Sequence, residues 1–290
     1  MRWTRAATSE GDHFMTTSDA IVTPSIEECV SANRNGWNLR AKEHLDTEFY
    51  GVEAFKNGRN TVQRIEIEEV GDVTGKSLLH LQCHFGLDTM SWSRLGARAT
   101  GVDLSDEAIE NAGAIAAELG LDTRFIRSDI FELPNTLDEK FDIVFTSYGA
   151  LVFMHNLDRW AEIAASYLKP GGKVCIVEIH PVLPLFTETD GELRLTYSLF
   201  QDGPNRMEVA KTYADLKPVE PHTEYFWRWS VGSLATALIN AGLRIDRLRE
   251  LPFDMRQRFP SMAQGEDGYW RLPGDPLPLV VTFVATKPER

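Results

Sequence analysis

Asp103 closes a short apolar run, Ala99 to Val102. A carboxylate in that place can accept from two hydroxyl groups at once, which a lone backbone carbonyl cannot match in geometry or strength. Upstream, Leu78, Leu79 and Leu81 make a second apolar run that stops in a turn at Gly86, and Leu87 to Leu95 has the pattern of a helix. Strand, tight turn, helix, strand and acid form a βαβ unit whose first turn and second strand end face one crevice, where parallel sheets bind nucleotide-like ligands. A cofactor carrying a ribose is expected there. His155 follows the fourth apolar run and His180 the fifth, so both are expected at the same edge. Either can take a proton from a hydroxyl acceptor, or serve as a hydrogen-bonded structural residue. Tyr148, Tyr225, Trp227 and Trp229 can line an apolar pocket or pack into a core.

Positioning these residues requires an alternation of strands and helices. Strands are expected over Ser77–Leu81, Ala99–Val102, Thr123–Arg127, Ile143–Ser147 and Lys173–Ile179, with helices over Leu87–Leu95, Ser105–Leu119 and Leu157–Leu168. Ser105 is a capping residue and Gly120 a stop signal. Further on, Val231 to Ala241 reads as a helix, and Leu243–Leu248 and Leu279–Ala285 read as strands. Between His180 and Glu224 the regular pattern lapses into an insertion at about 181–224, in which Leu195–Phe200 and Glu208–Tyr213 can pair over the edge of the sheet. Phe253 to Asp275 is a second irregular segment, rich in aromatic residues.

The N-terminal quarter is of another kind. Residues 1–23 are polar and without periodicity, and are expected to be a disordered tail. Residues 24–74 form a helical extension: Ser25 can cap, Glu27 and Glu28 suit the positive helix end, and the helical pattern runs to Leu45 with Asn35-Gly36 as an interruption. Trp37, Arg40, Ala41 and His44 share one helical face, which either packs on the core or forms a lid.

Composition limits the partners. With 290 residues and 43% hydrophobic content, the chain can bury one full α/β core. A formal charge of −13 opposes sequence-independent binding to nucleic acid and favours a small-molecule substrate. Cys29, Cys83 and Cys175 are few and widely spaced, so neither a disulfide framework nor a structural zinc site is signalled, and the compartment expected is the cytoplasm. No apolar run approaches the roughly 20 residues of a membrane helix, so no membrane partner is expected. His80, Cys83 and His84 have metal-ligand chemistry, but strand alternation sends His80 and Cys83 to opposite faces, so no metal is expected.

The motifs then fall into a familiar order. Leu78 to Gly86, Gly101-Val-Asp103-Leu-Ser, Arg127-Ser-Asp129-Ile-Phe, Phe141-Asp142-Ile-Val-Phe-Thr-Ser-Tyr148 and Leu168-Lys-Pro-Gly-Gly-Lys-Val174 together resemble the class I S-adenosylmethionine-dependent methyltransferases, from about Gly75 to Glu178. The resemblance implies a Rossmann-like, doubly wound, mostly parallel seven-stranded sheet with an antiparallel last strand and helices on both faces, here with an N-terminal helical lid. It implies S-adenosyl-L-methionine as cofactor, with Asp103 on the ribose hydroxyls, Asp129 on the adenine amine, and Leu104, Ile130 and Ser147 beside them. Asp142 is given a structural role. Relatives carry an acid at the position of His80 and glycines at those of Gln82 and His84, leaving only Gly86 here. Glycine permits positive φ and a close backbone approach; among the members of that family that this chain resembles, the His-Leu-Gln-Cys-His-Phe-Gly form is a recurring variant. His84 can then hydrogen-bond the amino-acid tail of the cofactor, alongside Gln82.

The activity implied is methyl transfer to a small-molecule acceptor by in-line displacement, with alignment and exclusion of water as the protein's main tasks. Oxygen, nitrogen, sulfur and carbon acceptors, and any oligomeric state, are compatible with it. The acceptor would meet Tyr148, Tyr225 and Trp227, with His155 or His180 as base. Trp37, Arg40, His44 and Tyr50 would close over the cofactor, the fork of Arg40 matching the methionine carboxylate. An NAD(P)-dependent oxidoreductase shares the βαβ unit but calls for G-x-G-x-x-G, which Gln82, His84 and Leu87 fail. A non-catalytic scaffold of the same fold is the third reading.

Overall fold

The computed structural model describes residues 23–289, so the expected tail lies, but for Thr23, outside the described residues. Three helices come first: α1 (Ile26–His44), α2 (Val52–Lys56) and α3 (Arg64–Val70). Alternation then sets in as β1 (Ser77–Leu81), α4 (Leu87–Arg94), β2 (Arg98–Asp103), α5 (Asp106–Glu118), β3 (Arg124–Arg127), β4 (Phe141–Ser147), α6 (Leu157–Ser166) and β5 (Leu168–Ile179). The insertion holds β6 (Phe186–Thr189), β7 (Glu192–Leu195), β8 (Asn205–Lys211) and β9 (Pro218–Phe226). The chain returns through α7 (Val231–Asn240), β10 (Arg244–Leu251), the short β11 (Ala263–Gln264) and β12 (Trp270–Arg271), and β13 (Val280–Thr286).

The seven-stranded sheet has the order β3-β2-β1-β4-β5-β13-β10. Its strands are parallel except β13, which runs antiparallel to both β5 and β10. The strand order reverses between β1 and β4, which leaves a crevice at their carboxyl ends. Helices α6 and α7 cover one face through a core that includes Trp160, Ile163, Leu234 and Leu238, while α3 and α4 cover the other through Ile65, Val70 and Trp92. A third apolar cluster joins Ala41 of α1 and Phe55 of α2 to Phe85, Met90 and Ile115, so the N-terminal helices are packed onto α4 and α5. Asp142 accepts from the backbone and hydroxyl of Ser77 and from Lys169, the structural role expected of it.

Two expectations are corrected. Asn35-Gly36 does not interrupt α1, which is continuous over 19 residues. Gly36 is there for approach: a Cβ on it would stand 2.5 Å from Glu224 Oε1 and 2.9 Å from the His222 ring, so β9 can lie against the helix only where the side chain is absent. Within the insertion, Leu195–Phe200 and Glu208–Tyr213 do not pair with each other. Instead β6 pairs with β7 and β8 with β9. Asp190 and Gly191 sit between Thr189 and Glu192 with φ of 54° and 77°, the two left-handed residues that a tight hairpin turn demands, and they fix the first pairing.

Candidate functional site

The turn after β1 is where the chain does something unusual. Gln82 and His84 adopt φ of 53° and 52°, a region that costs a residue with a Cβ about 1–2 kcal/mol. The surroundings hold them there. Gln82 Oε1 accepts from the Thr146 hydroxyl at 3.2 Å, and the His84 backbone N–H donates to Asp103 Oδ2 at 2.7 Å. Gly86 is also left-handed, and a Cβ on it would overlap the Phe125 ring. Gln82 Nε2 and His84 Nδ1 are buried without a partner, so the turn has polar groups to spare.

Asp103 faces this turn. Its Oδ1 accepts from the Ser105 backbone N–H at 2.9 Å, and with His84 on Oδ2 each oxygen keeps one lone pair for a further donor. Burial pushes its carboxyl up from the usual carboxylate range, against the pull of the N–H groups of Ser105, His84 and Leu104. On the next strand end, Asp129 Oδ1 accepts from the Phe131 backbone at 2.8 Å, and Ile130 is buried beside it. Leu104 and Ser147 are half-buried at the ends of β2 and β4. All these strand ends line the one edge of the sheet.

The loop after β4 is shaped by a residue the sequence reading passed over. Glu178, fully buried on β5, accepts from the backbone N–H groups of Gly149, Ala150 (3.0 Å), Leu151 (3.1 Å) and Ile179 (2.7 Å). Burial raises its pKa while those donors oppose the shift. An acid at the end of the apolar run Val174–Val177 is the signal that points to it.

Over the turn lies the face of α1. The Trp37 ring stands 5.4 Å from both the His84 and the Phe153 rings, edge-on to each. His44 Nδ1 is 2.9 Å from His84 Nε2, and its other nitrogen bonds the Thr212 hydroxyl. Burial holds the His44 pKa down at about 3, with Arg40 adding to the effect, and pushes His84 well below the ordinary imidazole range. Both are neutral at pH 7. Tyr50 packs 4.7 Å from the Phe85 ring and bonds the Tyr213 hydroxyl. Trp37, Arg40, His44 and Tyr50 are thus brought together, and the insertion closes the cluster from the far side.

Other expectations fare differently. Arg40 is not a spare cation: its Nη1 meets Glu224 Oε1 at 2.6 Å, both side chains being buried, although its Nε has no partner. His180 is not open as a base, because Nε2 contacts Glu250 at 2.8 Å and Nδ1 accepts from Val182 at 3.2 Å. Tyr148, Tyr225 and Trp227 do not form one pocket. Tyr148 packs with the α3–α4 face, its hydroxyl turned to the buried Glu66 carboxyl, and the Tyr225 backbone is clamped at both its N–H and C=O by Asn33 of α1. Trp227 instead shares a cavity of about 170 Å³ with His155, Leu151, Met154 and Trp229. The half-buried His155 ring lies 4.1 Å from Phe131, and burial lowers its pKa while Asp129 pulls the other way.

Residues 78–172 match the family model described as "Methyltransferase domain". The ubiquinone biosynthesis O-methyltransferase of Shewanella pealeana is 29% identical over 122 residues, covering 42% of this chain and 51% of that protein. The demethylmenaquinone methyltransferase of Lactococcus lactis is 32% identical over 127 residues, covering 42% and 50%. The chain thus spans about half the length of the curated relatives it matches. In fold it is similar to an S-adenosylmethionine-dependent methyltransferase from Mesorhizobium loti, with a TM-score of 0.56 at 19% identity over 80% of this chain and 99% of that one. A second such structure, from Clostridium acetobutylicum, gives 0.54 at 14% identity over 88% and 98%.

Proposed function

We propose that the chain, whose residues 78–172 match a methyltransferase domain, binds S-adenosyl-L-methionine at the β1/β4 crevice and catalyses transfer of its methyl group to a small-molecule acceptor. The observation that supports this most is the pairing of Asp103 with a turn whose Gln82 Nε2 and His84 Nδ1 are buried and unpartnered. A ligand with ribose hydroxyls and an amino-acid tail fits both. When bound, the cofactor supplies a sulfonium methyl group, which an in-line nucleophile displaces without protonation of the leaving thioether.

The chain's own residues then bind, orient and exclude water. Asp103 accepts from the ribose hydroxyls through its remaining lone pairs. Asp129 accepts from the adenine amine, with Leu104 and Ile130 as apolar cover. Gln82, His84, Gly86 and Ser147 hold the amino-acid end, where Arg40 contributes its free Nε rather than an unpaired charge. The face bearing Trp37, His44 and Tyr50 acts as the lid and the insertion covers the acceptor. His155, neutral at pH 7, takes a proton if the acceptor is a hydroxyl. Relatives named for O-methyl transfer in ubiquinone biosynthesis favour that case, and the net charge of −13 favours a small molecule over nucleic acid.

Calorimetric titration with S-adenosylmethionine beside NADH tests the reading. Binding of the first alone is expected. Binding of NADH alone would replace it with an oxidoreductase, and binding of neither with a scaffold.

A further inference from the structure

Arg228 makes no ion pair with any described carboxylate, and its Nε is buried without a hydrogen-bond partner. Its guanidinium lies 5.3 Å from the Tyr197 ring centre and 5.4 Å from that of Phe226. Such faces stabilise a cation but do not neutralise it, and burial lowers its pKa. Arg228 lines the cavity of about 170 Å³ that also holds His155, Trp227 and Trp229.

Two helices start at that same cavity. Leu157 is the first residue of α6 and Ser233 belongs to the first turn of α7, and both line the space. The positive ends of two helix dipoles therefore flank a guanidinium that lacks a counter-ion. The remaining walls are apolar and aromatic: Leu151, Met154, Trp227 and Trp229. A cavity of about 150 Å³ is enough to take a benzene molecule, so the space suits one ring.

We propose that this cavity binds a single-ring aromatic carboxylate, the carboxylate paired with Arg228 and the ring held among Trp227, Trp229 and Met154, as the anchoring end of the methyl acceptor. The assignment to the acceptor rests on the reading of His155 as the acceptor-facing histidine; the binding site itself does not. Arg228 acts by binding and takes no part in bond making.

The test is a titration of the full chain, without S-adenosylmethionine, by benzoate and by its neutral isostere benzamide, followed by calorimetry or by the indole fluorescence of Trp227 and Trp229. Benzoate is expected to bind at least about tenfold more tightly than benzamide, to weaken with added salt, and to lose that advantage in Arg228→Gln while Arg228→Lys keeps part of it. Equal binding of the two probes, no binding of benzoate, or an undiminished preference in Arg228→Gln overturns the proposal. The wild-type contrast decides the matter even if a variant fails to fold. Benzoate binding without S-adenosylmethionine binding would remove the methyltransferase reading and leave the site, whereas the converse would remove the site alone.

Discussion

The His84 backbone N–H donates to Asp103 Oδ2 at 2.7 Å, so the turn after β1 and the end of β2 are fastened by the same carboxylate that would receive the cofactor's ribose. The contact ties a left-handed histidine beside the sheet's switch point to the acid at the end of β2.

Asp103→Ala should weaken S-adenosylmethionine binding by about 2–3 kcal/mol, through two unmatched ribose hydroxyls and a loosened turn. Isothermal titration reads it directly. An unchanged affinity would take Asp103 out of the site.

Deletion of residues 1–23 should leave cofactor binding intact, whereas deletion through Tyr50 should abolish it. The longer deletion removes Trp37 and His44, which cover the His84 ring in this structure. A truncated protein that keeps its circular dichroism and still binds normally would reduce α1 to packing.

Gly36→Ala offers a sharper test of the helix's position. In an exposed helix the change would stabilise by about 1 kcal/mol. Here the new methyl would stand 2.5 Å from Glu224 Oε1, so a lowered melting temperature is expected, with Arg40 and Glu224 forced apart. A raised melting temperature would mean that β9 does not lie against α1.

Stability should fall on the acid side of neutrality. Burial holds His44 and His80 each at about 3, far below the ordinary 6.5, so both are neutral in the folded chain while the unfolded chain takes up protons first. Their contribution is complete above pH 6.5 and is lost steadily as the pH falls from there towards 3. Urea unfolding at pH 8, 6.5 and 5 measures it; in His80→Gln the slope should lessen, and an equal slope in wild type and variant would show that His80 titrates normally.

The core strands and helices were legible because each carries its own pattern: Leu78 to Leu81 and Ile143 to Phe145 are apolar runs buried on both faces, and Ser105 caps α5 by accepting from Ala108. What the pattern could not carry were relations between distant residues. Gly36 looks like a breaker until β9 is set beside it, and His180 looks like a base until Glu250 is found on its ring. The fork of Arg40 suits a carboxylate, but nothing near it in sequence announces Glu224. The pairing of β6 with β7 is signalled by Asp190-Gly191, a two-residue hairpin turn, rather than by the flanking apolar runs.

Asn33 of α1 holds the Tyr225 backbone by two hydrogen bonds, of 2.8 and 2.7 Å, across a separation of 192 residues. During synthesis the helix leaves the ribosome long before its partner strand exists. At about 5–20 residues per second, the order of ten seconds or more passes between the two. Through that interval β1 to β5 can assemble with α1 held on α4 and α5 alone, and its other side is gripped only once the insertion has been made. The proposed cofactor site is thus completed late, by the meeting of α1 with β9.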